Sequence, residues 1–244
     1  MNNKLNRYAR HIKLDNIGAS GQEKLLNSKV LVVGVGGLGS PILMYLASCG
    51  VGTIGIVDFD VVDETNLQRQ IIHSEEFLDM AKVKSAQHTI NNLNSNVVVN
   101  TYRTRLNESN IAQLFQEYDL IVDGCDNFTT RYLVNKYAVK LNKILVGGAL
   151  NQFDGQVFTI TKDSPCYSCI FPHQPSADSS ESCERIGILG TTAGVVGLMQ
   201  AMEVIKIILG IGENLIGKIQ IIDTLNNTHK IFKTSKDKNC KVCS

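Results

Sequence analysis

The 244-residue sequence lacks an excess of either charge: 24 Lys and Arg stand against 23 Asp and Glu, a formal net charge of +1. A chain built to grip nucleic acid or an anionic membrane carries a basic surplus, so neither is expected as the main partner. The N-terminus has no apolar signal core, so nothing directs export and a cytoplasmic location is expected. Internal repeats and low-complexity tracts are also missing. The one long apolar stretch, residues 186–211, is interrupted by glycines and by Glu203 and Lys206, three apart on one helical face. A core or subunit-interface helix is expected there rather than a membrane span. With 43% hydrophobic residues, the chain has enough apolar surface for one full core.

What is there begins with Gly34-Val35-Gly36-Gly37-Leu38-Gly39. The preceding Lys29-Val30-Leu31-Val32-Val33 reads as a strand buried on both faces. Residues 40–49 read as a helix with Pro41 in its first turn, where a missing N–H costs little. Strand, glycine turn and helix in that order give G-x-G-x-x-G its meaning. Gly36 and Gly37, without side chains, let backbone N–H groups approach phosphate oxygens, and the helix N-terminus adds about half a positive charge. A second strand, 51–57, ends at Asp58, where an acid accepts hydrogen bonds from ribose hydroxyls.

A nicotinamide-dependent dehydrogenase is the commonest owner of this fingerprint. Two features oppose it. Asp58 is followed by a second acid, Asp60, and then by Asn66-Leu67-Gln68-Arg69-Gln70 and Lys82. A dehydrogenase keeps its cofactor's pyrophosphate intact and needs one acid and a neutral groove. A site that cleaves a triphosphate must neutralise charge as pyrophosphate leaves, which Arg and Lys do with charge-assisted bonds.

With these motifs the chain resembles the ThiF/MoeB/HesA group of ATP-dependent adenylyltransferases, relatives of the adenylation domain of ubiquitin-activating enzymes. The resemblance runs from Arg7-Tyr8-Ala9-Arg10-His11 to Cys240-Lys241-Val242-Cys243. It includes Ala81-Lys82-Val83, Asp123-Gly124-Cys125-Asp126-Asn127 and two Cys-x-x-Cys pairs. It implies a single domain, 1–244, with N-terminal helices at 1–28, a nucleotide-binding core at 29–150 and a carrier-binding, zinc-bearing portion at 151–244. It implies that ATP is bound by Gly36, Gly37, Asp58, Asp60, Asn66, Arg69, Lys82, Asp126 and Asn127. Asp126 would hold Mg²⁺, a hard cation suited to one or two carboxylates plus phosphates, unless it or Asn127 merely caps the next helix. Lys82, a cation near a helix start, opposes the macrodipole unless an anion lies close by. Arg10 matches an arginine that crosses a homodimer interface to the partner's ATP, although Arg7 and Arg10 also fit a solvated charged face.

The remaining pattern is βαβ: helix 82–92, strand 97–102, helix 108–116, strand 119–122, helix 127–141 and strand 144–146. Strands at 155–160, 217–222 and 229–233 follow without intervening βαβ rhythm. The fold expected is α/β: a Rossmann-like, doubly wound, mostly parallel sheet with an antiparallel C-terminal extension and a structural zinc site.

Of seven cysteines, Cys166, Cys169, Cys240 and Cys243 form the two Cys-x-x-Cys pairs. Without a secretion signal, tetrahedral zinc is favoured over disulfides, with an iron–sulfur cluster as the rival. Four thiolates leave no open position, so the metal would be structural, pinning the C-terminal tail and contributing on the order of 10 kcal/mol. Cys49 and Cys125 read as packing residues.

The activity implied is adenylation of the C-terminal Gly-Gly carboxylate of a small ubiquitin-like sulfur carrier, with Arg10, Arg69, Lys82 and Asp126 catalytic. A thiocarboxylate follows, the sulfur coming from a separate persulfide donor such as a cysteine desulfurase. Cys169-Ile170-Phe171-Pro172 is similar to the thiamine (ThiF) branch, which is favoured on that ground, and the body is also compatible with the molybdopterin (MoeB) branch. A nicotinamide-dependent oxidoreductase and a catalytically silent carrier scaffold are the alternatives. Cys183 lies two residues before Arg185, a cation that lowers a thiol pKa, and matches a cysteine that bonds covalently to carrier in some relatives. If it does so here, Cys183→Ser protein keeps adenylation and loses sulfur transfer; unchanged sulfur transfer removes the covalent role.

Overall fold

The computed structural model describes residues 3–175 and 187–244, so Cys183 and Arg185 lie outside the described residues. A 3₁₀ turn at Asn3–Tyr8 leads into α1 (Ala9–Ile12) and α2 (Gly18–Asn27). The alternating part follows: β1 (Lys29–Val33), α3 (Gly39–Cys49), β2 (Thr53–Val57), α4 (Lys82–Leu93), β3 (Val98–Tyr102) and α5 (Ile111–Gln116). It continues through β4 (Leu120–Asp123), α6 (Phe128–Lys140) and β5 (Ile144–Asn151). Then come β6 (Asp154–Ile160), α7 (Tyr167–Ile170), α8 (Gly190–Leu209), β7 (Lys218–Asp223) and β8 (Thr228–Lys233).

The strands form one eight-stranded sheet in the order β3-β2-β1-β4-β5-β6-β7-β8. The first five run parallel, and β6, β7 and β8 add on antiparallel. The α/β expectation therefore holds, with the antiparallel strands continuing the same sheet. They attach because β5 runs on to Asn151, well past the expected end at Val146, and offers Leu145 to Asn151 to β6. Two glycines leave room for neighbours over this stretch, Gly147 for β6 and Gly148 for α8. A Cβ on Gly147 would meet the Phe158 ring at 2.2 Å, and one on Gly148 would meet Gln200 at 2.3 Å.

β1 is buried on both faces as its β-branched run requires, with Val30, Leu31 and Val32 at 0% exposure. Its side chains alternate between two cores: Val30 and Val32 join α3, α4 and α8, and Leu31 and Val33 join α5, α6 and the C-terminal tail. At about 25 cal/mol per Å² of apolar surface, such residues each contribute roughly 1.5–3 kcal/mol.

α8 is long and apolar enough, by length and composition, to cross a membrane, yet half of it is buried inside the fold. It packs across α3: a Cβ on Gly197 would lie 2.6 Å from Pro41 and 2.7 Å from the Leu38 carbonyl. Glu203, 1% exposed, pairs with Lys206 and accepts from the Thr159 hydroxyl at 2.9 Å, so its burial is compensated. Gly197→Ala should lower stability by about 1–3 kcal/mol by overpacking this crossing. Gly194→Ala, one turn earlier with nothing within 4 Å of the added Cβ, should raise it by roughly 0.5–1 kcal/mol. Urea denaturation of the two variants checks the opposite signs.

Candidate active site

β1 is flanked by β2 on one side and β4 on the other, so the winding direction reverses at β1/β4 and leaves a crevice beyond their carboxyl ends. Two turns meet there. Gly34, at φ +90°, ends β1, and a Cβ on it would lie 2.8 Å from the Gly124 carbonyl beyond β4. A Cβ on Gly39 would lie 2.1 Å from the Gly34 carbonyl. Only glycine backbones fit this close. Gly36 faces open space, its nearest neighbour being Gln70 Nε2, 3.9 Å from where a Cβ would stand.

Asp58 ends β2 and spans two loops. It accepts from Val35 N–H at 2.8 Å through Oδ2 and from Asp60 N–H at 2.8 Å through Oδ1. Its carboxylate thereby shapes the glycine turn, and each oxygen keeps a lone pair for a ribose hydroxyl. Lys82, at the start of α4, is only 6% exposed, and its Nζ meets Asp60 Oδ2 at 3.0 Å. The lysine is therefore not a solvated residue. Asp60 supplies the anion that offsets its clash with the helix dipole.

The 3₁₀ turn at Glu64–Asn66 is capped by Asp63, which accepts from Thr65 N–H at 2.8 Å. Asn66 gives its carbonyl to Arg69 N–H at 3.1 Å and Gln70 N–H at 2.9 Å, which turns Arg69 toward the glycines. The Arg69 Cγ lies 3.5 Å from where a Cβ on Gly37 would be, and among the described residues its guanidinium donates only to the Thr65 carbonyl of its own turn, at 3.2 Å. Asp126 is exposed beyond β4, with Asn127 Nδ2 at 3.4 Å. Asn127 caps α6, its Oδ1 accepting from Thr130 N–H at 2.9 Å. Gly36, Gly37, Asp58, Asp60, Arg69 and Lys82 thus gather around one crevice, and the turn carrying Asp126 and Asn127 abuts the glycine loop where Gly124 meets Gly34. Arg10 stands elsewhere: nearby Tyr8 packs against Gly50 at the far end of α3, and eleven helical residues span about 16 Å.

Sequence reasoning overlooked several residues that build the site. Gln70 is 4% exposed, and its Oε1 has no partner among the described residues. It belongs to the Asn66-to-Gln70 motif, which is the signal that could have found it. His73, 7% exposed, donates from Nε2 to the Val35 carbonyl at 3.1 Å and accepts at Nδ1 from the Ser85 hydroxyl at 2.9 Å. It ties the glycine turn to α4. Burial pulls its pKa below the usual histidine value, and Lys82 adds to this. Burial pushes the Cys125 thiol well up, with Asp123 reinforcing it, which fits an inert packing residue.

Cys166, Cys169, Cys240 and Cys243 have sulfurs that all lie within 4.8 Å of one another. The Cys166–Cys240 and Cys169–Cys243 separations are 3.6 and 3.4 Å. A disulfide needs about 2.05 Å, whereas four sulfurs about 2.3 Å from a tetrahedral ion sit roughly 3.8 Å apart. The cluster fits a four-thiolate metal. Burial raises the Cys240 thiol, but the backbone N–H groups of Val242 and Cys243 outweigh this and hold it at about 7.

A model of the ThiF family matches residues 8–242. The adenylyltransferase and sulfurtransferase MOCS3-1 of Zea mays is 44% identical over 228 residues, 93% of this chain and 49% of that protein. The probable adenylyltransferase/sulfurtransferase MoeZ of Mycobacterium tuberculosis is 44% identical over 236 residues, 95% of this chain and 60% of that protein. The SAMP-activating enzyme E1 of Haloferax volcanii is 41% identical, covering 98% of this chain and 88% of that protein. Among solved structures, E. coli MccB with ATP superposes at a TM-score of 0.85 and 25% identity, covering 100% of this chain and 75% of that one. The chain spans about half the length of the first of these relatives. They do not separate the thiamine and molybdopterin branches. In the Phe171-Pro172 step, Phe171 packs on Tyr167 with ring centroids 4.9 Å apart, and its carbonyl accepts from the Tyr132 hydroxyl at 2.7 Å.

The lowered His73 pKa fixes a sign. Neutral His73 contributes stability that is fully present above the unfolded value of about 6.5 and is lost as pH falls toward the folded value. Thermal unfolding between pH 7.5 and 5 should show wild type losing stability faster than His73→Gln; parallel curves would contradict this.

Proposed function

The chain belongs to the ThiF family, and on that premise we propose that it is an adenylyltransferase for a small ubiquitin-like sulfur carrier. The observation that carries the reading is the approach of Arg69 to Gly37, which sets a cation with little else to bind beside a backbone phosphate cradle. The carrier's C-terminal Gly-Gly carboxylate attacks the α-phosphorus of ATP, giving an acyl-adenylate and releasing pyrophosphate. Asp58 holds the ribose, Asn66 orients sugar or phosphate, and the N–H groups at Gly36 and Gly37 hold phosphate oxygens. Arg69 and Lys82 neutralise charge on the transferring and leaving groups, with Asp60 keeping Lys82 aimed until an anion arrives. No base is required, since the attacking carboxylate is ionised at neutral pH. Positioning and electrostatics supply the rate.

Asp126, an exposed carboxylate with one weak neighbour among the described residues, fits Mg²⁺: it would hold the ion, whose charge would offset that of the phosphates. The four cysteines hold zinc as a structural pin for the tail. Residues 151–244 carry the carrier-binding face, where Leu225, Ile231 and Phe232 are 63%, 58% and 52% exposed on the last hairpin. The activated carrier passes to a persulfide donor, such as a cysteine desulfurase, and becomes a thiocarboxylate. The chain acts as a homodimer. Arg10 reaches the partner's nucleotide, which its place at the far end of α3 supports.

Carrier-dependent ATP–pyrophosphate exchange tests the activity; its absence with thiamine-type and molybdopterin-type carriers alike would defeat the reading. Arg69→Ala and Lys82→Ala should each lower the exchange rate by about 10²–10³-fold. Mixing Arg10→Ala with Asp126→Ala subunits should restore about a quarter of wild-type activity if Arg10 acts across a two-fold dimer. No recovery beyond either parent would rule that out.

A further inference from the structure

Arg131 has no role in the scheme above, yet it is among the most buried charged groups of the described residues, at 5% exposure. It lies one turn into α6, where a cation opposes the helix dipole. Its partner Asp123, at 1% exposure, receives Nε at 3.2 Å. Buried pairs of this kind add little stability over apolar residues of the same size, so stability alone does not account for it.

The guanidinium's other bonds point to the turn at 124–127. Nη2 donates to the Cys125 carbonyl at 2.6 Å and to the Gly148 carbonyl at 3.1 Å. Asp123, besides holding Arg131, accepts from Cys125 N–H at 3.0 Å. One planar fork therefore locks the end of β4, the turn after it and the middle of β5 into one frame. That turn carries Asp126, and its Gly124 carbonyl lies against Gly34 of the phosphate cradle.

The same helix face continues away from the crevice. Asn127, Arg131 and Asn135 are spaced four apart. Asn127 caps the helix. Asn135 accepts from Tyr167 N–H at 2.9 Å and donates to the Ser168 hydroxyl at 3.2 Å, holding the loop between Cys166 and Cys169. Burial pushes the Tyr167 phenol's pKa up, and the charge of the Arg131 guanidinium partly offsets this.

We propose that Arg131 is a positioning residue: it fixes the turn at 124–127 and so aims Asp126 at the nucleotide, with Tyr167 backing it from the cysteine cluster. Arg131→Lys keeps the charge beside Asp123 and loses the fork that holds two carbonyls at once. Tyr167→Phe keeps the ring and removes the hydroxyl.

The role rests on reading Asp126 as the Mg²⁺ ligand, so Asp126→Asn is measured beside the other two. Calorimetric titration of ATP without carrier, in Mg²⁺ and in EDTA, reads binding without turnover, and its stoichiometry reports the competent fraction. Arg131→Lys should weaken ATP binding in Mg²⁺ by about 10–100-fold, as loss of a group supporting a metal ligand does, and change binding in EDTA far less. Tyr167→Phe should weaken it by roughly two- to tenfold in the same Mg²⁺-dependent way, and it decides the matter if Arg131→Lys does not fold. A merely structural role would lower stoichiometry or the melting temperature and leave affinity in Mg²⁺ at the wild-type value, which overturns the proposal. If Asp126→Asn itself shows no Mg²⁺-dependent loss, the Mg²⁺ reading falls and the positioning role falls with it. A loss in Asp126→Asn that neither Arg131→Lys nor Tyr167→Phe shares overturns the positioning role alone.

Discussion

Three glycines in backbone-to-backbone contact hold the nucleotide crevice together. Gly34, Gly39 and Gly124 close the space beyond β1 and β4 so tightly that a Cβ on Gly34 or Gly39 would strike a carbonyl. Topology supplies the place: the sheet reverses its winding between β1 and β4, so two loops diverge there and leave room for a ligand. The glycines then decide what that room accepts. Bare backbone allows N–H groups to meet phosphate oxygens directly, and the buried strands behind keep the loops from drifting.

Around this cradle the charges are arranged by neighbours rather than by solvent. Asp58 spends both carboxylate oxygens on loop N–H groups. Lys82 is buried and kept in place by the more exposed Asp60. Arg69 is turned toward Gly37 by the hydrogen bonds of the Asn66 turn. The exposed Asp126 stands on the turn after β4, which is braced by a buried ion pair. A cradle lined by Arg69 and Lys82 suits cleavage of a triphosphate better than storage of an intact dinucleotide.

Much of this was legible in the sequence because it is local. The β-branched run of β1, the glycines after it and the two Cys-x-x-Cys pairs each carry their physical reason within a few residues. What escaped depends on distant contacts, except at the start of α5. β5 runs past Val146, its expected end, where Phe158 and Gln200 from other elements occupy the space over Gly147 and Gly148. α5 begins later than expected, at Ile111, because Asn107 accepts from Ser109 N–H at 2.9 Å and turns the chain before the helix starts. Lys82 calls for an anion close to a helix start, and the one that pairs with it, Asp60, stands 22 positions away. Arg131 gave no signal, since its acceptors come from β4, the next turn and β5. The proposed covalent role of Cys183 concerns residues outside those described.

A crystal structure of the chain with ATP and magnesium tests the central claim most directly. The expected result places the phosphate chain over Gly36 and Gly37, the ribose at Asp58, and Arg69 and Lys82 on the phosphates. An empty crevice, or adenine bound away from these two cations, would contradict the account.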